Sequence, residues 1–85
     1  MIDYVVIAIP PDTMPTRDQL NHAIRQNIEE PDNIPIACES KTNLVRAYKL
    51  SGRMLYDNGE LTDEGFETIK TLWEENNKED MKNVH

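Results

Sequence analysis

Apolar positions recur along this chain at two periods, and the changes of period mark its elements. From Tyr4 to Ile9 the sequence is β-branched and almost continuously apolar, the pattern of a strand covered on both faces, as in central or parallel strands. Pro10-Pro11 ends it, and residues 11–15 read as a loop. Thr16 with Gln19 three residues later is a capping-box signature, in which the hydroxyl takes up an orphan N–H of the first turn. Leu20, Ala23, Ile24 and Ile28 then fall at helical spacing, and Pro31 forbids continuation, so a helix is predicted over about 16–29. Ile34–Cys38 is a short apolar run that reads as a second strand. It lies at an edge or pairs only beyond Pro35, which has no N–H to donate. Strand, helix and strand in this order predict a right-handed βαβ unit with parallel strands.

The second half continues the alternation. Ser40 or Thr42 is the expected cap of a helix over 42–51, with Leu44, Ala47, Tyr48 and Ser51 on one side and Gly52 at its C′ position. Residues 53–61, with Asn58-Gly59 at the tip, read as a small hairpin. Thr62 caps the last helix, whose apolar stripe is Phe66, Ile69, Leu72 and Trp73, and Glu74 is spaced to support Lys78 at i,i+4. Beyond Asn76 the chain turns polar, so fraying and a disordered tail over 79–85 are expected. The predicted fold is therefore α+β, one small domain over residues 1–78. Its order is β-α-β-α-(short hairpin)-α, a small sheet with helices packed on it. Val5, Ile7, Ile24, Ile36, Leu44, Tyr48, Phe66, Ile69 and Trp73 are the expected core.

Composition narrows the functional classes. Eighty-five residues with one Phe, one Trp and three Tyr leave little volume for an enclosed cavity, which argues against an enzyme. Cys38 is the single cysteine, so neither an internal disulfide nor a cysteine-based zinc site forms within the chain. The amino-terminal apolar run is too short for a signal sequence or a membrane span. A cytoplasmic, soluble protein without a membrane partner is the expectation. The net charge of -7 is polarised. Residues 1–56 hold seven acids against six bases, whereas residues 57–80 hold nine acids against Lys70 and Lys78. A field of this kind disfavours phosphate backbones and favours basic partners.

Candidate chemistry is sparse. Cys38 precedes an expected helix start, but the following arginine makes Cys-x7-Arg with no glycine between. An anion loop of the tyrosine-phosphatase kind needs Cys-x5-Arg, so Cys38 is expected to be an unreactive thiol at the end of a buried strand. His22, with Asp18 four residues before it, has no partner set for a metal, and His85 stands at the last position. Gly52, Gly59 and Gly65 are isolated, so no phosphate loop or dinucleotide fingerprint is present. No catalytic residue, cofactor or metal site is expected.

Two charged segments remain. Lys41, Arg46, Lys49 and Arg53 lie in a stretch free of acids from Ser40 to Tyr56. In a helix, Arg46, Lys49 and Arg53 would share one face. Helix and hairpin together are similar to the recognition helix and wing of a winged helix, although a strand separates residues 16–29 from this segment. That basic face is the alternative reading, a nucleic-acid-binding regulator; the favoured expectation is that it pairs with the acidic last helix in the same or a neighbouring chain. The acids of the last helix, Glu67, Glu74 and Glu75 foremost, are the expected contact for a protein with a basic surface, and a row of them can imitate phosphates. The ranking is a small non-enzymatic protein that binds and modulates another macromolecule, with the general character of a phage or mobile-element accessory protein. A nucleic-acid-binding regulator comes second and a small enzyme third. Self-association is a further expectation, because a weak core gains stability from a partner.

Overall fold

Period two governs the sheet that organises this chain. The structure is a computed structural model that describes residues 3–82, with side chains as far as Asn77. It contains β1 (Tyr4–Ile9), α1 (Arg17–Glu29), β2 (Arg46–Ser51), a 3-10 turn (Gly52–Met54) and α2 (Asp63–Lys82). The class is α+β and the elements run β-α-β-α. β1 and β2 are antiparallel, with Tyr4 opposite Ser51, Val6 opposite Lys49 and Ile9 opposite Arg46. Alternation puts Val5, Ile7 and Ile9 with Tyr48 and Leu50 on one face, where Leu20, Ala23, Ile24 and Ile69 join them in the core. Phe66 and Trp73 pack against that cluster half-buried.

The phase of the ladder decides what happens at the far edge of β1. Gly52 N–H donates to Asp3 C=O at 2.9 Å, so the backbone groups of Val5, Ile7 and Ile9 face β2 and those of Tyr4, Val6 and Ala8 face away. Three groups meet them. Val6 N–H donates to Asn27 Oδ1 at 3.0 Å. Ala8 N–H donates to Pro35 C=O, and Ala8 C=O accepts from Ala37 N–H, both at 2.9 Å. The expected second strand is thus parallel to β1, as predicted, but only one bridge long, Ala8 with Ile36. Pro35 has a carbonyl to offer and no N–H, and the buried amide of Asn27 takes the place of the next rung.

One expected element is replaced. Residues 42–51 are not a helix: Arg46–Ser51 is β2. The spacing of Leu44, Ala47, Tyr48 and Ser51 fits a helix, yet Tyr48 and Leu50 also fit a strand. Pairing with β1, whose peptide groups would otherwise be buried unpaired, overrides the local preference. Two expected core residues leave the interior in consequence. Leu44, in the segment before β2, is 63% exposed, and Ile36 is 57% exposed. Ile36 shares the face of Ala8, opposite the helices, because paired residues point to the same side of a sheet.

The remaining elements are held by caps and by the hairpin. Thr16 and Gln19 form the predicted capping box at the start of α1. The hairpin brings Leu55 opposite Leu61. Gly59 N–H donates to Tyr56 C=O at 2.9 Å; of Asn58 and Gly59, only Gly59 adopts positive φ, 86°, which is a three-residue turn closed by a glycine bulge. Arg17 clamps this hairpin to α1, donating to Leu61 C=O at 2.7 Å and to Asp63 at 2.6 Å. Asn21 Oδ1 accepts from Leu61 N–H at 2.8 Å. Thr62 Oγ1 accepts from Gly65 N–H at 2.9 Å as the predicted cap of α2. α2 remains helical to Lys82, through the residues expected to fray; residues 83–85 of the expected tail lie outside the described residues.

Candidate functional site

The acids of α2 face outward because of what its other side must touch. Ile69 is fully buried, Phe66 and Trp73 flank it, and Gly65 lies against Met54 C=O. At 100° per residue, Glu64, Glu67, Glu74 and Glu75 fall within an arc of about 100° centred opposite Ile69. All four are exposed. From Glu64 to Glu75 the row is about 16 Å long, eleven residues of helical rise. Leu72, expected in the apolar stripe, lies beside this row and is 41% exposed. With Glu67, Thr68 and Thr71 it lines a shallow depression on the helix surface. α2 is also anchored where it passes the sheet, by Trp73 Nε1–H to Pro10 C=O at 2.8 Å and by Asn76 Nδ2 to the Tyr48 hydroxyl at 3.1 Å. The helix backbone that carries the acidic face is therefore fastened to the sheet.

The basic segment is arranged otherwise than the sequence suggests. The common helix face of Arg46, Lys49 and Arg53 does not form, because Arg46 and Lys49 belong to a strand. Their odd separation places them on opposite faces of the sheet. Lys49 lies on the outer face, its ammonium 4.3 Å from the centre of the Tyr4 ring. Arg53 is in the 3-10 turn. Lys41 belongs to a loop tied down by Asp12, whose carboxylate accepts from Lys41 N–H at 2.8 Å and from the Ser40 hydroxyl at 3.3 Å.

Cys38 lies at the rim of this loop, partly exposed, and its Sγ is 3.8 Å from Thr13 C=O. Burial, and then the Asp12 carboxylate, push its pKa above the ordinary thiol value. Both causes disfavour the thiolate, so the environment is the reverse of one that activates a nucleophile. With Ile36, Glu39, Ser40, Asn43 and Val45 it lines an open depression on the outer side of the sheet. His22 is exposed on α1, and His85 lies outside the described residues. Among the described residues no three His, Cys, Asp or Glu side chains converge as a metal site would require. No helix among them is long and apolar enough to cross a membrane.

Asn27, Asn21 and Arg17 were missed by sequence reasoning as architectural residues. Asn27 carried a signal: it stands seven residues after Leu20 and three after Ile24, on the apolar stripe of α1, where an amide must find partners. Comparison with protein-family models, with curated proteins and with solved structures finds no match, so the functional reading rests on this chain's own geometry.

Proposed function

We propose that this protein is a non-enzymatic binding protein that docks through the acidic face of α2 onto a protein with a basic surface and modulates it. The observation that supports the reading is the exposed row of Glu67, Glu74 and Glu75 on a helix whose opposite side is fixed to the core, with Leu72 exposed beside it. Carboxylates of this kind raise the rate of encounter with a basic partner and set orientation. Leu72 supplies an apolar contact of the sort that charges alone lack. A rigid helix presents these groups without loss of backbone freedom on docking.

The test is a comparison of the wild-type protein with a variant carrying Glu67→Lys, Glu74→Lys and Glu75→Lys. The circular dichroism spectrum is expected to be unchanged, because all three side chains are exposed. Partners recovered from host extract with the wild type should be lost with the variant and should elute as salt is raised, since charges beyond about 8 Å are screened at physiological ionic strength. A set of partners retained by the variant, or held independently of salt, refutes this reading.

A further inference from the structure

β2 is an edge strand. The ladder phase that turns Tyr4, Val6 and Ala8 away from β2 likewise turns the N–H and C=O groups of Ala47, Lys49 and Ser51 away from β1. On the far side of β1 the N–H of Val6 and both backbone groups of Ala8 are met by Asn27, Pro35 and Ala37. On the far side of β2, among the described residues, no strand or loop backbone pairs with them. Ala47, Lys49 and Ser51 are all exposed. An open row of donors and acceptors along a regular strand is a template for one more strand.

We infer that this edge takes up an acidic extended segment of a partner protein as an added strand. Charge selects the occupant. From residue 40 to residue 56 the chain carries Lys41, Arg46, Lys49 and Arg53 and no acid, so the edge strand and its flanks are basic in a protein whose net charge is -7. A second copy joining through its own β2 would bring the same four bases against these, and like charges across strands oppose pairing. A carboxylate on the added strand beside Lys49 makes the favourable cross-strand pair instead. The Tyr4 ring, 4.3 Å from the Lys49 ammonium, holds that charge over the outer face. A nucleic acid is less suited, because it would leave the β2 peptide groups unpaired and finds Arg46 and Lys49 on opposite faces of the sheet. The acids of α2 do not repel the incoming strand strongly, since α2 lies on the helix face and the Lys49 side is the other. Period two puts the residues between the acids of the added strand on the other face of the sheet, the side of Tyr48 and Leu50, which favours apolar residues there. The surface is distinct from the acidic face of α2, and the inference stands or falls independently of that reading.

The experiment uses the full chain, labelled with nitrogen-15, and a capped nonapeptide of alternating glutamate and valine. At near-saturating peptide, hydrogen exchange at the Ala47, Lys49 and Ser51 amides should slow about tenfold, while the Leu50 amide, already facing β1, is unaffected. Lys49→Glu and the milder Lys49→Gln should each weaken binding, the former by about fivefold or more, without altering the circular dichroism spectrum. A peptide with lysine in place of glutamate, and the acidic peptide with alternate amides N-methylated, should not protect these amides. Equal binding of the N-methylated peptide overturns the inference, as does absence of protection by the acidic peptide. So does protection of the same amides in the free protein accompanied by sedimentation as a dimer, which assigns the edge to a second copy. Protection by oligothymidine but not by the acidic peptide assigns it to nucleic acid and overturns the inference equally.

Discussion

Replacing Asn27 by Leu tests the account of the sheet most directly. Asn27 is 5% exposed. Its Oδ1 accepts from Val6 N–H at 3.0 Å and its Nδ2 donates to Asn33 C=O at 2.8 Å. Leucine keeps the same branching and the same number of side-chain heavy atoms, with methyl groups bulkier than the amide, so the effect is not that of a cavity. What changes is that Val6 N–H, in the middle of β1, loses its acceptor at a part-buried position, beneath an apolar side chain in place of the amide. An unpaired buried donor costs about 1–3 kcal/mol, and the bond to Asn33 contributes about 1 kcal/mol more. The expected loss is about 2–4 kcal/mol, large against the about 4–13 kcal/mol usual for 85 residues. Urea unfolding followed by circular dichroism gives the stability difference, and amide exchange at Val6 locates it. Asn27→Asp separates the two bonds, keeping an acceptor for Val6 while losing the donor to Asn33 and burying a charge. A loss below about 0.5 kcal/mol in Asn27→Leu, with Val6 as protected as before, refutes the claim that Asn27 replaces a rung of the ladder.

Three further outcomes follow from the packing. Gly65→Ala, a change that favours an isolated helix by about 1 kcal/mol, should instead lower the thermal midpoint, because the new Cβ would stand 2.6 Å from Met54 C=O and 3.0 Å from Leu61 Cδ1; a raised midpoint contradicts the close approach. Trp73→Ala should destabilise by about 3 kcal/mol in urea titration, and Trp73→Phe by about 1 kcal/mol through loss of the bond to Pro10; no loss in Trp73→Phe would show that the bond contributes nothing. Cys38 should react with iodoacetamide more slowly in the native protein than in denaturant at pH 8, and Asp12→Asn should narrow the gap, since burial first and Asp12 second raise its pKa. The sign for stability follows: the folded thiol keeps its proton above pH 9.0, where the unfolded thiol loses it, so this contribution is present below that pH and is lost as pH rises through the folded pKa.

Local signals were legible where a short stretch decides its own structure. The capping box at Thr16, the cap at Thr62, the glycine at the hairpin tip and the buried side of α2 all act within a few residues. The segment 42–51 shows the opposite case. Leu44, Ala47, Tyr48 and Ser51 satisfy a helical template, and nothing nearby reveals that β1, about 40 residues earlier, needs a partner on that side. The error moved the basic residues with it: a face shared at i, i+3 and i+7 in a helix is divided between two faces in a strand. The apolar run Ile34–Cys38 predicts the correct strand direction but too long a strand, because the role of Asn27 depends on how α1 lies along β1. The acidic face was legible because α2 was, its acids falling opposite Phe66, Ile69 and Trp73.

The bond from Trp73 to Pro10 also makes the molecule its own optical reporter. Trp73 is the one tryptophan of the chain, half-buried, fixed at its Nε1–H and adjacent in sequence to Glu74 and Glu75. Its ultraviolet emission therefore reports on the seam between α2 and the end of β1. Detachment of the helix breaks that bond and exposes the indole to water, shifting the emission to longer wavelength. Occupation of the carboxylate row should change its intensity with the seam still closed. Unfolding and docking are thus distinguishable in unlabelled protein by whether the emission of one native fluorophore moves in wavelength or changes in intensity alone.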